Sequence, residues 1–511
     1  MRRSTMALAV GLAWSAPLAA QGSGDGSGSP GERGTASPEA VGRLLAPIVE
    51  RARGGDVGVA VYSVDRQIPL YLHEADDPLI PASNMKLYTT AAALDKLGAD
   101  FQYTTSLYAD GPILPDGTLS GNLLLVGRGD PSISGRFYAD SATFVFDRMA
   151  AILRDRGVRR VAGRLIGDTS YFDDQIVGAG WESGNLLWWY GARVTALAFN
   201  DNVVTVIVRP GAYAGAPAEI SLHPHASDLP IVNRAVTSGQ RGGRSVGIRR
   251  RADIGGYEVW GRVPLGSTGV RHVVAVDDPP AFALSVFRER LLRVGIEVAG
   301  GNQVVWRDEA LPQSPMTLLL SHTSPRMIEL VRVINKNSQN FFAEQVLKTL
   351  GAVFRDRGSF SAGAEVVHES IRGLGVPVRA IVIQDGSGLS RWNLVTPRAT
   401  AEMLVGMRYH PRFEEYYGSL LVAGYDGDPR RLDAPEAVAN VRTKTGTLRG
   451  VSALSGYVTT ADGELLAFSV ISNGLRGGKG AAIALEDAVA ERLARYTMWS
   501  SPVLESSVTG R

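Results

Sequence analysis

Three short polar motifs lie far apart in this 511-residue chain, and their chemistry works only if the fold brings them together. Ser83-Asn84-Met85-Lys86 is an S-x-x-K, Ser338-Gln339-Asn340 an S-x-N, and Lys444-Thr445-Gly446 a K-T-G. The first two serines are 255 positions apart. A fold that joins them must pack the chain before about residue 100 against the chain after about 313, and carry the stretch between as an insertion.

Lysine usage singles out the same places. Only six lysines occur (Lys86, Lys96, Lys336, Lys348, Lys444, Lys479), and the Lys+Arg total of 53 leaves 47 arginines. Arginine does not lose its proton in a protein, whereas a buried lysine does so readily. A lysine kept against this bias is a candidate for titration chemistry, and two of the six open or close a motif. Chance gives about 0.4 S-x-x-K and about 0.03 K-T-G in a chain with six lysines, whereas S-x-N alone is uninformative.

The local contexts fit. Pro81 precedes the first serine, and Leu87, Ala91, Leu94 and Leu97 recur at helical spacing. That predicts a helix with Ser83 at its start and Lys86 one turn on, on the same face. Segments 441–447, 452–460 and 465–472 read as strands, and 480–498 as a closing helix. Further strands are expected at 57–64, 69–72, 121–126, 160–167, 203–208, 257–263, 273–276 and 378–383. Helices are expected at 147–156, 282–294, 327–350, 365–374 and 397–409.

Composition closes several routes. Hydrophobic content of 45 % and charged content of 20 % are those of an ordinary globular protein, and a net charge of +2 gives no case for nucleic acid. There is no cysteine, so no disulfide, thiolate metal site or cysteine nucleophile. No H-E-x-x-H and no G-x-S-x-G elbow occurs, and His223-Pro224-His225 reads as surface, so no metal or cofactor is expected. Residues 1–20 carry Arg2 and Arg3, a short apolar run and small residues before Gln21, the pattern of a signal peptide. With no later run of eighteen apolar residues, the mature form is expected to have no stable membrane span and to be exported to the periplasm.

The ordered set resembles the D-alanyl-D-alanine carboxypeptidase/endopeptidase family of the penicillin-binding protein 4 type (peptidase family S13, low-molecular-mass class C). The likeness runs from about Val41 to Arg495. It includes Gly129-Asp130-Pro131-Ser132, Gly167-Asp168-Thr169-Ser170-Tyr171-Phe172, Gly180-Trp181 and the run from Asp385 to Arg391. The resemblance implies a multi-domain α+β fold: a β-lactamase/transpeptidase-like domain, with an antiparallel sheet flanked by helices, split by a large mostly-β insertion. The expected layout is signal peptide 1–20, flexible linker 21–37, transpeptidase-like parts 38–105 and 314–499, insertion 106–313 with a subdomain at 211–262, and tail 500–511.

The same resemblance implies the roles. Ser83 is the expected nucleophile and Lys86 its base, with Ser338 as proton relay and Asn340 holding Lys86 and the substrate amide. Lys444, Thr445 and Thr447 would receive the terminal carboxylate, Gly446 would let substrate lie along the strand, and Arg391 would border the site. Asp385, Ser387 and Ser390 read as turn residues. Expected partners are peptidoglycan stem peptides, with β-lactams as covalent inhibitors. One position departs: the family's aspartate four residues after the Gly-Trp tryptophan is Asn185 here, which leaves recognition of a cationic diamino-acid group open. A D-amino-acid amidase, esterase or transpeptidase on the same site, or a non-catalytic cell-wall scaffold, are the alternatives.

Overall fold

The structure is a computed structural model that describes residues 35–240, 243–309 and 315–497. The expected signal peptide, the tail 500–511 and most of the linker 21–37 lie outside the described residues.

One six-stranded sheet unites the two ends of the chain. Its order is Leu421–Val422, Arg442–Leu448, Val451–Thr459, Leu465–Asn473, Asp56–Ser63, Ile68–His73, with every neighbour antiparallel. The seam is the pairing of Asp56–Ser63 with Leu465–Asn473, which joins positions about 400 residues apart. Both faces of the sheet are covered, so its inner strands Val451–Thr459, Leu465–Asn473 and Asp56–Ser63 are buried on both sides. Val57, Val59, Val61, Leu466, Phe468 and Val470 point to one face, under Pro38–Val49 and Gly478–Arg495. Ala60, Tyr62, Ala467, Ile471 and Tyr457 point to the other, against a cluster that includes Met85–Lys96, Met327–Lys336, Asn340–Arg355, Phe360–Gly373 and Pro397–Arg408. Each fully buried Val, Leu or Phe of these layers contributes about 1.5–3 kcal/mol.

The stretch between the first two motifs forms separate sheets with their own apolar core. The largest has five strands, in the order Asn302–Val305, Leu165–Asp168, Leu123–Val126, Thr104–Ala109, Thr317–Thr323. Its last two strands, which pair with each other, begin at Thr104 and end at Thr323, past the expected joins at 105 and 313. A three-stranded sheet of Ile231–Ser238, Gly256–Pro264 and Ser245–Arg251 fills much of the expected subdomain 211–262 and runs two residues past its end.

Three local expectations are corrected. The helix expected over 327–350 is two, ending at Lys336 and restarting at Asn340. Ser338 between them has φ +54°, left-handed backbone that breaks the helical ladder, and the Gln339 side chain caps the new helix by accepting from Phe341 N at 3.0 Å. The strand expected over 160–167 is two short strands, Arg160–Val161 and Leu165–Asp168. The turn between them packs Gly163 against Gly121, where a side chain would meet backbone oxygen. The strand expected over 378–383 is a 3-10 turn, Val378–Ala380, followed by a single bridge from Val382 to Leu394. Ile381 and Ile383 are buried, but Val382 between them is exposed and no partner strand runs alongside.

Candidate active site

Ser83 sits in the 3-10 turn Ala82–Asn84 that runs into the helix Met85–Lys96. Ala82 has φ +45°, a backbone that costs an alanine about 1–3 kcal/mol and persists only where its surroundings hold it. Three contacts hold this one. Asn84 Nδ2 donates to Lys444 O at 3.0 Å, tying the turn to the K-T-G strand. Gly446 lies so close that a Cβ there would stand 2.8 Å from Pro81 O and 3.1 Å from Ser83 N. Gly388, at φ +83°, presses on the Ala82 carbonyl from the other side, where a Cβ would overlap it. The glycine of K-T-G therefore makes room for the turn that carries Ser83, a constraint beside the expected one of admitting substrate.

Gly388→Ala is accordingly expected to destabilise the protein by about 2 kcal/mol or more, through overlap and a disfavoured φ. Its labelling by penicillin should slow in parallel, because the displaced carbonyl belongs to the residue before Ser83. Thermal unfolding and labelling time courses check both.

The side chains at 83, 86 and 340 meet. Lys86 is fully buried, and its Nζ lies 2.9 Å from Ser83 Oγ, 2.7 Å from Asn340 Oδ1 and 2.7 Å from Ser387 O. Asn340 turns its amide the other way, Nδ2 donating to Tyr190 O at 2.9 Å, so it bridges the base to the inserted region. Lys444, also fully buried, donates to Ser338 Oγ at 3.0 Å and to Thr445 O at 2.9 Å. All five expected catalytic side chains thereby fall into two hydrogen-bonded groups, held side by side by the two-residue spacing of Ser338 and Asn340 and by the bond from Asn84 to Lys444.

The charges follow from burial. Loss of solvent pushes the Lys86 amine down from its usual range to about 7, against the opposing pull of the Glu344 and Asp385 carboxylates. Lys444 is held well below its ordinary value, by burial first and by the charge of Lys86 second. The repulsion between the two lysines is felt at Lys444, and burial is the largest cause at both.

Glu344 went unnoticed in the sequence. It is fully buried one turn after Asn340, and its two oxygens accept from Gly386 N (2.7 Å) and Ser387 N (2.9 Å). Burial and the nearby Asp385 charge push its carboxyl up to about 8. It anchors the segment whose Ser387 carbonyl receives Lys86. The available signal was a lone acid inside the apolar run Phe341-Phe342-Ala343-Glu344-Gln345-Val346-Leu347. Asp385 is the turn former it was read to be: Oδ1 accepts from Gly388 N at 2.8 Å, and Oδ2 from Ser390 N at 2.6 Å and Trp181 Nε1 at 2.8 Å. The Gly180-Trp181 pair is therefore a clamp on this segment.

Arg391 lies at the rim, its Nη1 donating to Arg449 O at 2.9 Å just past the K-T-G strand. Its Nε stands 4.0 Å from Glu182 Oε1, so a carboxylate three residues before Asn185 is the one that approaches this arginine. Thr445 and Thr447 line a cavity of about 240 Å³ with Thr443, Arg431 and Lys479. The outer edge of their strand is covered by Leu421–Val422 only at Arg442 and Thr443.

Against this geometry stands the comparison with known proteins. The sequence pattern of the D-Ala-D-Ala carboxypeptidase 3 (S13) family matches residues 43–496. The chain belongs to that family. It is 35 % identical to the D-alanyl-D-alanine carboxypeptidase of Actinomadura sp. (strain R39), over 88 % of this chain and 83 % of that protein. It is 26 % identical to the D-alanyl-D-alanine carboxypeptidase DacB of Haemophilus influenzae, over 83 % and 87 % of the two chains. The crystal structure of penicillin binding protein 4 from H. influenzae superposes with a TM-score of 0.77, covering 88 % of this chain and 99 % of that one at 24 % identity. A second structure of that protein, in complex with a novel β-lactam, superposes at 0.73 with the same coverage. The S13 fold is thus present across the described residues, inserted region included.

Proposed function

We propose that this chain is a serine DD-peptidase that cleaves the terminal D-Ala-D-Ala bond of peptidoglycan stem peptides, and cross-links of the same chemistry, through an acyl-enzyme on Ser83. The observation that carries the reading is the buried amine of Lys86, 2.9 Å from Ser83 Oγ and pushed down to about 7. A serine hydroxyl is a weak nucleophile until a neutral base takes its proton.

The substrate lies as an added strand along the uncovered edge at 445–448. Its carboxylate is received by Lys444 and the hydroxyls of Thr445 and Thr447. An arriving anion favours the charged form of Lys444 and leaves Lys86 as the base. Ser83 Oγ attacks the carbonyl carbon, and its proton passes to Lys86. Backbone N–H groups of Ser83 and Thr447 receive the oxyanion. Ser338 passes a proton to the leaving D-alanine nitrogen as the C–N bond breaks and takes its replacement from the protonated Lys86, which returns to the neutral amine. Water then enters, and the same base takes its proton for deacylation. β-Lactams, which carry a strained amide and a carboxylate, enter the same path and stay attached. Arg391 and Glu182 border the acyl side. The export pattern of residues 1–20 supports a periplasmic location beside the cell wall, and no helix among the described residues is long and apolar enough to cross a membrane.

Fluorescent penicillin should label the purified protein at one site. Digestion of a cross-linked muropeptide should release D-alanine from uncrosslinked stems and separate the crosslinked ones. A protein that takes no label and releases no D-alanine would be a scaffold, and the reading would fall.

A further inference from the structure

One surface outside the catalytic cleft has an unusual composition. Residues 231–264 hold seven arginines against two carboxylates, a surplus of five, where the whole chain carries +2. The sheet of Ile231–Ser238, Gly256–Pro264 and Ser245–Arg251 sorts these residues by face. Ala235, Ile248, Tyr257, Val259 and Val263 point inward and are buried. The outer face carries Arg234, Arg249, Arg251 and Arg262 around Trp260, with Glu258 as its one acid.

Trp260 is placed as a platform. It lies between Arg234 and Gly247 in register. Its indole lies flat over Gly247, where any Cβ would strike the ring. It remains 40 % exposed, and the Arg249 guanidinium stands 5.8 Å from the ring centroid. Glu258 is buried beneath Arg249 (3.0 Å), Arg251 (2.9 Å) and Arg234 (3.6 Å). Arg251 is also paired with Asp253 at 2.6 Å, so Glu258 is left between Arg234 and Arg249; one carboxylate cannot neutralise both, and their side chains stay 65 % and 60 % exposed. The sheet is also tied to the cleft. Arg250, pointing inward, donates to Leu186 O at 2.6 Å, in the same short segment whose Tyr190 carbonyl receives Asn340.

We propose that this face binds the peptidoglycan polymer itself: sugar rings stack on Trp260, and the carboxylates of attached peptides pair with the surrounding arginines. The proposal rests on the cell-wall substrate argued above and adds a second contact with it. A flat, half-open indole offers a face to the C–H side of a sugar ring. Exposed guanidinium groups pair with carboxylates in a planar, two-point fashion. An anionic membrane is the poorer fit, because insertion needs an apolar side chain that protrudes, and Trp260 lies down on the sheet.

The test is co-sedimentation of the full chain with purified insoluble peptidoglycan at about 50 mM salt, where charge pairing is little screened. Trp260→Ala, the pair Arg234→Glu with Arg249→Glu, and separately the fully surface-placed Arg262→Glu should each lower the bound fraction, the first two by about fivefold. Raising salt to about 300 mM should weaken wild-type binding in the same sense. Turnover of a short soluble peptide ending in D-Ala-D-Ala should stay at the wild-type rate in all variants, which also reports that they fold. Variants that sediment like wild type would overturn the proposal. So would a wild-type protein that ignores peptidoglycan, or that prefers phosphatidylglycerol vesicles. Failure of wild type to turn over the short peptide would instead refute the enzymatic reading, so the two failures are separable.

Discussion

Ser83→Ala is expected to lose penicillin labelling and D-alanine release together, with a fall in turnover on the order of a million-fold. Nothing else in the cleft can replace the bond that Ser83 Oγ forms. Ser338, the nearest other serine in the constellation, is held by Lys444 at 3.0 Å and does not hydrogen-bond to Lys86. The substitution removes one partly exposed hydroxyl and leaves the turn's backbone bonds intact, so the melting temperature should stay near the wild-type value. Mass spectrometry after incubation with a β-lactam reads the covalent step directly. An adduct persisting on the alanine variant would place the nucleophile elsewhere.

Lys86→Arg is the second large effect, a loss of about 10²–10⁴-fold in the acylation rate. The change keeps a cation and its hydrogen-bonding capacity but removes the possibility of a neutral base. Because arginine is bulkier and the site is fully buried, Lys86→Met serves as the companion variant, similar in length and without the amine. Both should fall together. The pH profile separates a base from a structural cation. In the wild-type protein the fraction of neutral Lys86 grows as pH rises, so acylation should climb through about pH 7 and level off above it. The direction follows from the active form being the deprotonated one. In Lys86→Arg the residual rate should show no such rise. Stopped-flow acylation between about pH 5 and 9 measures this. Near-normal acylation in the arginine variant would remove Lys86 as the base.

The catalytic constellation was legible because it is short-range chemistry repeated in fixed spacing. Ser83 and Lys86 share a helix turn whatever surrounds them. Lys444, Thr445 and Gly446 follow one another on a strand. The scarcity of lysine made these positions stand out further. The split of the sheet could be inferred too, since the motifs had to meet. Three things were not legible. The left-handed position 338 is itself a serine rather than the glycine or asparagine that usually takes that backbone, so the apolar periodicity reads as continuous across it. Glu344 looked like an ordinary helical acid, because its importance lies in what packs over it: two backbone N–H groups from residues more than 40 positions later. The second demand on Gly446, its close approach to Pro81 and Ser83, is set by residues about 360 positions away and leaves no mark in the motif.

Residue identity alone put forward the groups for the proposed chemistry, because a serine nucleophile, a lysine that can lose its proton and a K-T-G strand can be recognised one by one in the sequence. How strongly the base is activated was a matter of packing. The shift of Lys86 to about 7 comes from complete loss of solvent, moderated by Glu344 and Asp385, and none of these neighbours is near it in sequence. Desolvation and charge act through space, so their strength is set where distant segments close over one another.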